Sequence, residues 1–404
     1  MTNHTGTAQC TAVVGAGIIG LLTAWNLRLA GRAVTILDPA PASQATFAAA
    51  GMLAPISEVQ YSQQQLWPLM SASRAEYPEA MAALSRAVRA ETGYRETGTI
   101  LLAADPGDRD AVAALVSVQR DHGMEVHSLS SSTLRRREPS LAPGVSRAWD
   151  VPSDHQVDPR RLAGALTEAL SAELPAAGFP DAGPPAVWVH EPVSGVDRDG
   201  DAAVVTTCEG TELRCAAVVL SPGLGYGRIK GLPEQHPLPL RPVHGDVLRL
   251  RVPKSQLLPG ETQPLGAVIR ARVAGRAVYL VPRADGELIV GASSREDGLE
   301  GTHAGSVLEL LEDAAAILPA VREMQLSEIV TRARPGTPDD RPYLGLLTEN
   351  GGGTPGAPIV VATGFHRHGI LLAPLGARLT TALVTGAELS VDDAALLEAM
   401  ALSR

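Results

Sequence analysis

The sequence predicts an α/β fold with a second, α+β domain, and three observations support this prediction. The chain has 404 residues, which is too long for one ordinary core. A strand, a helix and a second strand follow one another over residues 11–38. Strand patterns with short connections fill residues 243–293, and such strands form an antiparallel sheet that does not belong in a parallel α/β domain.

The first element is the segment TAVVGAGIIGLLTAWNLRLAGRAVTILD at residues 11–38. TAVV is typical of a short buried strand, apolar residues then recur at helical spacing until Gly31, and RAVTILD starts a second strand. Gly15, Gly17 and Gly20 form GxGxxG, in which the glycines allow a tight turn, a close approach to a pyrophosphate and close helix packing. The amino terminus of the helix offers N–H groups and partial positive charge to phosphates.

Asp38 ends the second strand, where its carboxylate can accept the ribose hydroxyls and disfavours the 2′-phosphate of NADP. This Rossmann-like unit predicts a bound dinucleotide, either NAD or FAD. The next segment, PAPASQATFAAAGMLAP at residues 39–55, has small residues around Gly51 that let a backbone lie against a flat ligand, and Thr46 adds a hydroxyl. The same segment fits the start of a plain alanine-rich helix equally well.

The middle of the chain is predicted to add helices and strands to both domains. A helical region from Gln63 to Thr92 leads to an extended segment at residues 98–104, and Asp158 caps a helix that begins at Pro159. Residues 187–223 alternate apolar and polar positions around two turns, which predicts a three-stranded meander attached to the parallel sheet, with its last strand returning to that sheet.

The stretch VVATGFHRHGI at residues 360–370 is a late strand and glycine-flanked turn, followed by a helix. It completes the first domain and places the turn at a strand carboxyl end, where ligands of open α/β sheets bind. We therefore expect a discontinuous dinucleotide-binding domain interrupted by an antiparallel-sheet substrate-binding domain. The first comprises residues 1–92, 146–233 and 332–404, and the second comprises residues 93–145 and 234–331.

Composition excludes several classes of partner. The net charge of -10 without a basic run argues against nucleic acid, and no stretch is long and apolar enough to span a membrane. Cys10, Cys208 and Cys215 form no CxxC or metal spacing, which fits small buried side chains in a reducing cytoplasm. His366 and His368 lie in one turn without further ligands, so no metal is predicted.

These elements, in this order, resemble the D-amino-acid oxidase family of flavoproteins, and within it most closely the glycine oxidases of thiamine biosynthesis. The resemblance covers essentially the whole chain. The motifs that carry it are GAGIIG with Asp38, AAAGML at 48–53, VYLVPR at 278–283 followed by GELIVGAS, RPGT at 334–337 with RPYLG, and GFHRHGILLAP at 364–374.

The resemblance implies FAD as the cofactor, bound non-covalently because Asp246 lies in the segment where covalent-flavin relatives have a cysteine. It implies that each part of FAD meets its own set of residues. The sets are Gly15, Gly17, Ile18, Ile19, Gly20 and Asp38 for the ADP half, Val193 for the adenine, Gly223 at a strand end, Thr46, Ala50, Gly51 and Met52 for the isoalloxazine ring, and His368, Gly369, Ile370 and Leu371 for its pyrimidine edge.

The resemblance also implies that Tyr279 and Arg334 bind the substrate carboxylate and that Arg367 is a second, less direct arginine of the same site. A guanidinium can bind a carboxylate bidentately, and a phenol adds direction. From the residues alone, an arginine such as Arg334 is more often a surface residue, and a tyrosine in an alternating strand such as Tyr279 is more often a core residue.

This chain departs from the usual glycine oxidase pattern, Gly-His-Phe (or Tyr)-Arg-Asn-Gly, at the late turn. Phe365 and His366 are exchanged, and His368 replaces asparagine. Ser294 occupies a position where some members carry a bulkier apolar residue, so the pocket is expected to be roomier or more polar.

The implied activity is oxidative deamination of a small amino acid, glycine first and sarcosine or small D-amino acids next. Hydride passes from Cα to flavin N5, which requires a neutral amine and a fixed orientation, and O2 reoxidises the flavin with release of H2O2. Three alternatives remain open: a dehydrogenase of the same fold with another electron acceptor, an oxidase of a larger secondary-pathway amine, and a non-catalytic flavin-binding subunit. A homo-oligomer is also possible.

Overall fold

The computed structural model describes residues 10–174, 178–232, 238–257, 259–260, 262–347 and 356–404. The strands are, in chain order, β1 (Cys10–Val14), β2 (Ala33–Leu37), β3 (Met52–Leu53), β4 (Thr99–Ala103), β5 (His127–Leu129), β6 (Arg147–Val151), β7 (His155–Gln156), β8 (Val187–Val189), β9 (Val193–Asp199), β10 (Ala202–Thr207), β11 (Glu212–Cys215), β12 (Ala217–Leu220), β13 (Arg241–Arg251), β14 (Val268–Val273), β15 (Arg276–Pro282), β16 (Glu287–Gly291), β17 (Gln325–Gly336), β18 (Tyr343–Leu346) and β19 (Ile359–Thr363).

The α-helices are α1 (Ile18–Leu29), α2 (Ala45–Ala48), α3 (Leu66–Ala87), α4 (Pro106–Asp121), α5 (Ser131–Arg137), α6 (Pro159–Ser171), α7 (Ala304–Ile317), α8 (Ala373–Thr385) and α9 (Val391–Glu398). Asp158 caps α6 as predicted, since its side chain accepts hydrogen bonds from the amides of Arg160 and Arg161. Within the part of the chain that the structure describes, no helix combines the length and apolar character needed to cross a bilayer.

One sheet has six strands in the order β18-β19-β12-β1-β2-β8, and its strands pair in parallel except for β18 with β19. Alternate side chains of these strands point to opposite faces. Val13 packs with the helices α1, α3, α6 and α8 on one face, whereas Val14 packs with the meander β9-β10-β11 on the other. The sheet is therefore covered on both sides, as parallel sheets are.

The second sheet has eight strands in the order β17-β13-β16-β15-β14-β4-β6-β5 and is antiparallel except for the pair β14 and β4. Helix α7 covers one face of this sheet through Leu310 and Ile317. The other face carries a small apolar cluster in which Val247 and Ile289 meet Ala50, a residue that precedes β3. This second face therefore points toward the segment at residues 39–55.

The predicted fold class is confirmed, with a Rossmann-like parallel sheet and a largely antiparallel second sheet. The meander and the return of the chain to the parallel sheet at β12 are also as predicted. The division into domains stays a proposal, with two boundaries adjusted. Strand β6 lies in the eight-stranded sheet, and β17 runs across the boundary predicted at residue 332, so we propose boundaries after Val151 and after Gly336.

Candidate active site

The turn between β1 and α1 is built for a close approach of backbone to backbone. Gly15 has φ +95°, and a Cβ atom there would lie 2.4 Å from the carbonyl oxygen of Ser221. The Ser221 hydroxyl donates to the carbonyl oxygens of Val14 and Gly15, at 3.2 and 3.1 Å. Asp38 accepts a 2.6 Å hydrogen bond from the amide of Ala16, so its carboxylate lies beside the same turn. Glycine is therefore required here, and the turn and Asp38 form one unit.

The first turn of α1 also holds Thr46. Its hydroxyl accepts a 3.0 Å hydrogen bond from the amide of Ile18, and the side chain of Thr46 is buried. Gly17 precedes the helix without a side-chain cap, while Ile18 and Ile19 are buried. Thr46 thus lies at the helix terminus that can receive a phosphate.

The carboxyl ends of three neighbouring parallel strands, β1, β12 and β19, meet at one edge of the six-stranded sheet. Gly223 follows β12, and its carbonyl oxygen accepts a 3.2 Å hydrogen bond from the hydroxyl of Thr363, the last residue of β19. The structure therefore brings Gly15, Gly223 and the late turn at residues 364–371 to the same edge. Val193, at the start of β9, is half-buried and packs against the apolar cluster that includes Leu37.

Helix α3 fixes the backbone of the late turn. The Tyr77 hydroxyl donates to the carbonyl oxygen of Ile370 at 2.5 Å, and the Ser73 hydroxyl donates to that of Leu371 at 2.7 Å. His368 in this turn is only 2% exposed, yet neither of its ring nitrogens has a hydrogen-bond partner among the described residues. Burial lowers the pKa of His368 to about 4, so the ring is neutral at physiological pH.

The exchange of Phe365 and His366 has a physical explanation in this turn. Phe365 is buried, and its ring packs so closely on Gly376 of α8 that a Cβ atom there would lie 3.0 Å from the ring. The Nδ1 of His366 lies 3.0 Å from a carboxylate oxygen of Asp340. The aromatic ring therefore fills the helix side of the turn, and the imidazole faces a carboxylate.

The segment Ala50–Met52 is clamped to the second sheet by Arg283. This buried guanidinium donates to the carbonyl oxygen of Ala50 at 2.6 Å and to the side-chain oxygen of Gln156 at 2.8 Å. Burial lowers the pKa of Arg283 to about 10. Met52 packs against the same apolar cluster as Tyr279. The segment from the first domain and the candidate substrate tyrosine thus border the same apolar cluster.

Tyr279 and Arg334 are both half-buried, and each lies over a glycine of a neighbouring strand. A Cβ atom at Gly291 would lie 2.3 Å from the Tyr279 hydroxyl, and one at Gly245 would lie 2.4 and 2.5 Å from the two terminal nitrogens of Arg334. Among the described residues, the Arg334 guanidinium makes one hydrogen bond, 3.4 Å long, to the carbonyl oxygen of Ser293. It therefore retains donors for an anionic ligand.

The electrostatics of this pair fit a ligand-binding role. Burial raises the pKa of the Tyr279 phenol, and the charge of Arg334 opposes part of that rise. Burial also lowers the pKa of Arg334, whose usual value is far above neutrality. The phenol is therefore a protonated donor and the guanidinium a cation at physiological pH.

Glu58 completes the site and was missed by the sequence analysis. This carboxylate is 6% exposed and lies 2.6 Å from Nη1 of Arg270, 3.5 Å from Nη2 of Arg367 and 3.8 Å from Nδ1 of His368. Burial alone would raise the pKa of Glu58, but these positive and polar neighbours hold it at about 2. The sequence offered one signal for Glu58, which is an isolated glutamate in the mainly apolar segment after AAAGML.

Replacing Glu58 with glutamine is expected to lower the free energy of unfolding by about 3 to 5 kcal/mol at pH 7, because Arg270 is left buried without its partner. The pKa of Glu58 in the folded protein is about 2, below its ordinary 4.5. The stabilisation is therefore present above the ordinary pKa and is lost as the pH falls toward the folded value.

Urea unfolding of both proteins across this pH window measures the effect. The difference in unfolding free energy between wild type and E58Q should shrink as the pH falls. The matched control is Glu91→Gln, whose carboxylate pairs with Arg161 at 2.6 Å but is 77% exposed, so its loss should have little effect at any pH. A difference for E58Q that stays constant with pH contradicts the assignment.

The residues present fit a flavin dinucleotide. The glycine turn and Asp38 suit a pyrophosphate and a ribose, and neither ring nitrogen of buried His368 makes a hydrogen bond within the described chain, so both are available to a ligand. The edge at which they meet is the ligand edge of open α/β sheets.

Comparison with known proteins identifies the family of this chain. Residues 11–383 match the family described as FAD dependent oxidoreductase. The chain is 32% identical to the bifunctional protein ThiO/ThiG of Synechocystis sp. over 95% of its own length and 53% of that protein, so it spans about half the length of this relative. It is 30% identical to the glycine oxidase of Geobacillus kaustophilus, over 94% of both chains.

The solved structures agree with the sequence comparison. The crystal structure of glycine oxidase from Geobacillus kaustophilus superposes with a TM-score of 0.80 at 30% identity, over 98% of each chain. The match to the family covers most of the chain and includes both glycine turns and the eight-stranded sheet. The chain therefore belongs to the family of FAD dependent oxidoreductases, and FAD is its cofactor.

Proposed function

We propose that this protein catalyses the oxidative deamination of a small amino acid, with glycine as the first candidate and sarcosine or small D-amino acids next. The observation that carries the proposal is the pair of Tyr279 and Arg334, each of which lies over a glycine, with Tyr279 bordering the apolar cluster that contains Ala50. The resemblance to relatives named glycine oxidase supports glycine.

We assign the parts of FAD to the residues placed at the sheet edge. The Gly15 turn, with Gly17, Ile18, Ile19, Gly20 and Asp38, would hold the ADP half, and Val193 would meet the adenine. Gly223, Thr46 and the segment Ala50, Gly51 and Met52 would lie along the flavin half, with His368, Gly369, Ile370 and Leu371 at the pyrimidine edge. We propose no covalent link between FAD and the protein. The carboxylate of Asp246 accepts hydrogen bonds from the hydroxyls of Ser293 and Thr331, at 2.6 Å each.

The side chains of this protein bind and orient the substrate. Arg334 binds the carboxylate bidentately, and the Tyr279 hydroxyl donates a further hydrogen bond to it. Arg367, held by Glu58, adds positive charge at the same site. A substrate held at its carboxylate presents Cα in a fixed orientation, which is the main contribution that positioning makes to rate. The chemistry that FAD supplies when bound is acceptance of a hydride from Cα, after which O2 restores the oxidised cofactor and yields H2O2.

Anaerobic mixing of the purified yellow protein with glycine, sarcosine, D-alanine, D-proline and larger amines tests this proposal. We expect glycine to bleach the absorbance of the oxidised flavin, and we expect peroxide to appear when air is admitted. Bleaching by a bulky amine but not by glycine would overturn the substrate assignment. Bleaching without peroxide would identify a dehydrogenase that uses another electron acceptor.

A further inference from the structure

Two cysteines that are far apart in the sequence meet inside the protein. Cys10 is the first residue of β1 and Cys215 is the last residue of β11, and both are buried. The amide of Ala216 donates a 2.9 Å hydrogen bond to the carbonyl oxygen of Cys10, which brings the two strand ends together. The two sulfur atoms lie 3.4 Å apart. The sequence spacing did not indicate this pair.

We propose that Cys10 and Cys215 form a peroxide-sensitive dithiol that closes into an intrachain disulfide. A disulfide bond is about 2.04 Å long, so the sulfur atoms must approach by about 1.4 Å. The proposal requires that rotation of the two side chains, each at the end of a strand, supplies this approach. The strands themselves then keep their pairing.

The two thiols have different roles in this reaction. The contact between the two thiols lowers the pKa of Cys10, while the same contact and burial raise the pKa of Cys215. Cys10 is the more readily deprotonated thiol of the two, so we assign it the attack on H2O2: an S–O bond forms, the O–O bond breaks, and the released hydroxide takes up the thiol proton and leaves as water. The sulfur of Cys215 then attacks the sulfur of Cys10, and a second water leaves. Two thiols lose two electrons and two protons in total, and one H2O2 becomes two waters.

Because the two thiols are neighbours, their oxidation stops at a disulfide, which reductants can reverse. A thiol without a neighbour proceeds from sulfenic to sulfinic acid, which ordinary reductants do not reverse, whereas a neighbouring thiol captures the sulfenic acid as a disulfide. Cys10 begins β1 and Cys215 ends β11, so the disulfide would also tie β1 to the meander. H2O2 is a product of the proposed reaction, so a supply of H2O2 from the protein's own turnover rests on the proposed function. Added H2O2 tests the pair independently.

The experiment uses the FAD-bound Cys208→Ala variant, which lacks the exposed thiol and keeps the pair. The protein is treated with H2O2, quenched with catalase, unfolded, alkylated and digested without reductant for mass spectrometry. We expect loss of both free thiols and one linked peptide pair, two hydrogens lighter than its parts, with both thiols restored by dithiothreitol.

A second variant, Cys208→Ala with Cys215→Ala, removes the resolving thiol. Cys10 should then react with a sulfenic acid probe and proceed to a sulfinic acid that dithiothreitol does not reverse. Two fully alkylated cysteines after peroxide treatment of Cys208→Ala would overturn the proposal. In the Cys208→Ala protein, a sulfinic acid on Cys10 together with a free Cys215 would also overturn the proposal. This outcome does not depend on whether the second variant folds.

Discussion

Replacing Arg334 with methionine is expected to lower kcat/KM for glycine by on the order of thirtyfold or more, since losing one partner of a buried charged pair costs about 2 to 5 kcal/mol. Methionine fills a similar volume along the chain but cannot donate hydrogen bonds to a carboxylate. Because Arg334 makes one long hydrogen bond among the described residues, its removal should leave the fold intact. Steady-state oxidation of glycine measures the loss.

The matched control is Arg272→Met, which changes an arginine of β14 in the same sheet that is 46% exposed and lies 3.7 Å from Asp108. It should retain nearly wild-type kcat/KM. Tyr279→Phe removes a single donor and should cost about 1.5 to 3 kcal/mol, less than the loss of Arg334. Equal activity in Arg334→Met and Arg272→Met would exclude Arg334 from the substrate site.

Replacing Gly245 with alanine is expected to reproduce much of the Arg334 defect without touching that residue. The new Cβ atom would meet the guanidinium at 2.4 to 2.7 Å, so Arg334 must move. The atoms displaced are the far end of a flexible side chain, and the free energy of unfolding should therefore change by less than about 1 kcal/mol. A binding group displaced by roughly 1 Å costs on the order of tenfold or more in rate, so kcat/KM for glycine should fall while urea unfolding stays close to wild type.

Gly164→Ala serves as the control for this variant, because a Cβ atom at this position in α6 meets no atom within 4 Å. It should leave both activity and FAD content unchanged. If Gly245→Ala instead unfolds or loses FAD while Gly164→Ala does not, then Gly245 is needed for the sheet itself and not for the placement of Arg334.

The parallel domain was predictable because its signals are local. A strand, GxGxxG and a helix occupy adjacent residues, and Asp38 ends the next strand at the expected distance, so one short segment specifies both the turn and its ligand. Asp158 likewise capped α6 as its sequence neighbours indicated. The extent of the second sheet was harder to predict, because β6 joins it through pairing with β4, more than forty residues earlier in the chain.

The site was only partly predictable because several of its residues act through distant partners. Glu58 matters because Arg270 and Arg367 converge on it, and Gly245 matters because Arg334 on another strand lies over it. Arg283 was recognised only as part of a motif, although it clamps the Ala50 backbone. None of these relations produces a periodic pattern or a local motif.

In the proposed site, Arg334 and Tyr279 hold a carboxylate against the cofactor. Titration of the FAD-bound protein with acetate, a carboxylate with no amine to oxidise, tests this claim through the visible absorbance of the flavin. We predict a saturable spectral change in the wild type and in Arg272→Met, and its loss in Arg334→Met at the same acetate concentrations. An unchanged flavin spectrum in the wild type, or equal acetate affinity in Arg334→Met, would contradict the claim.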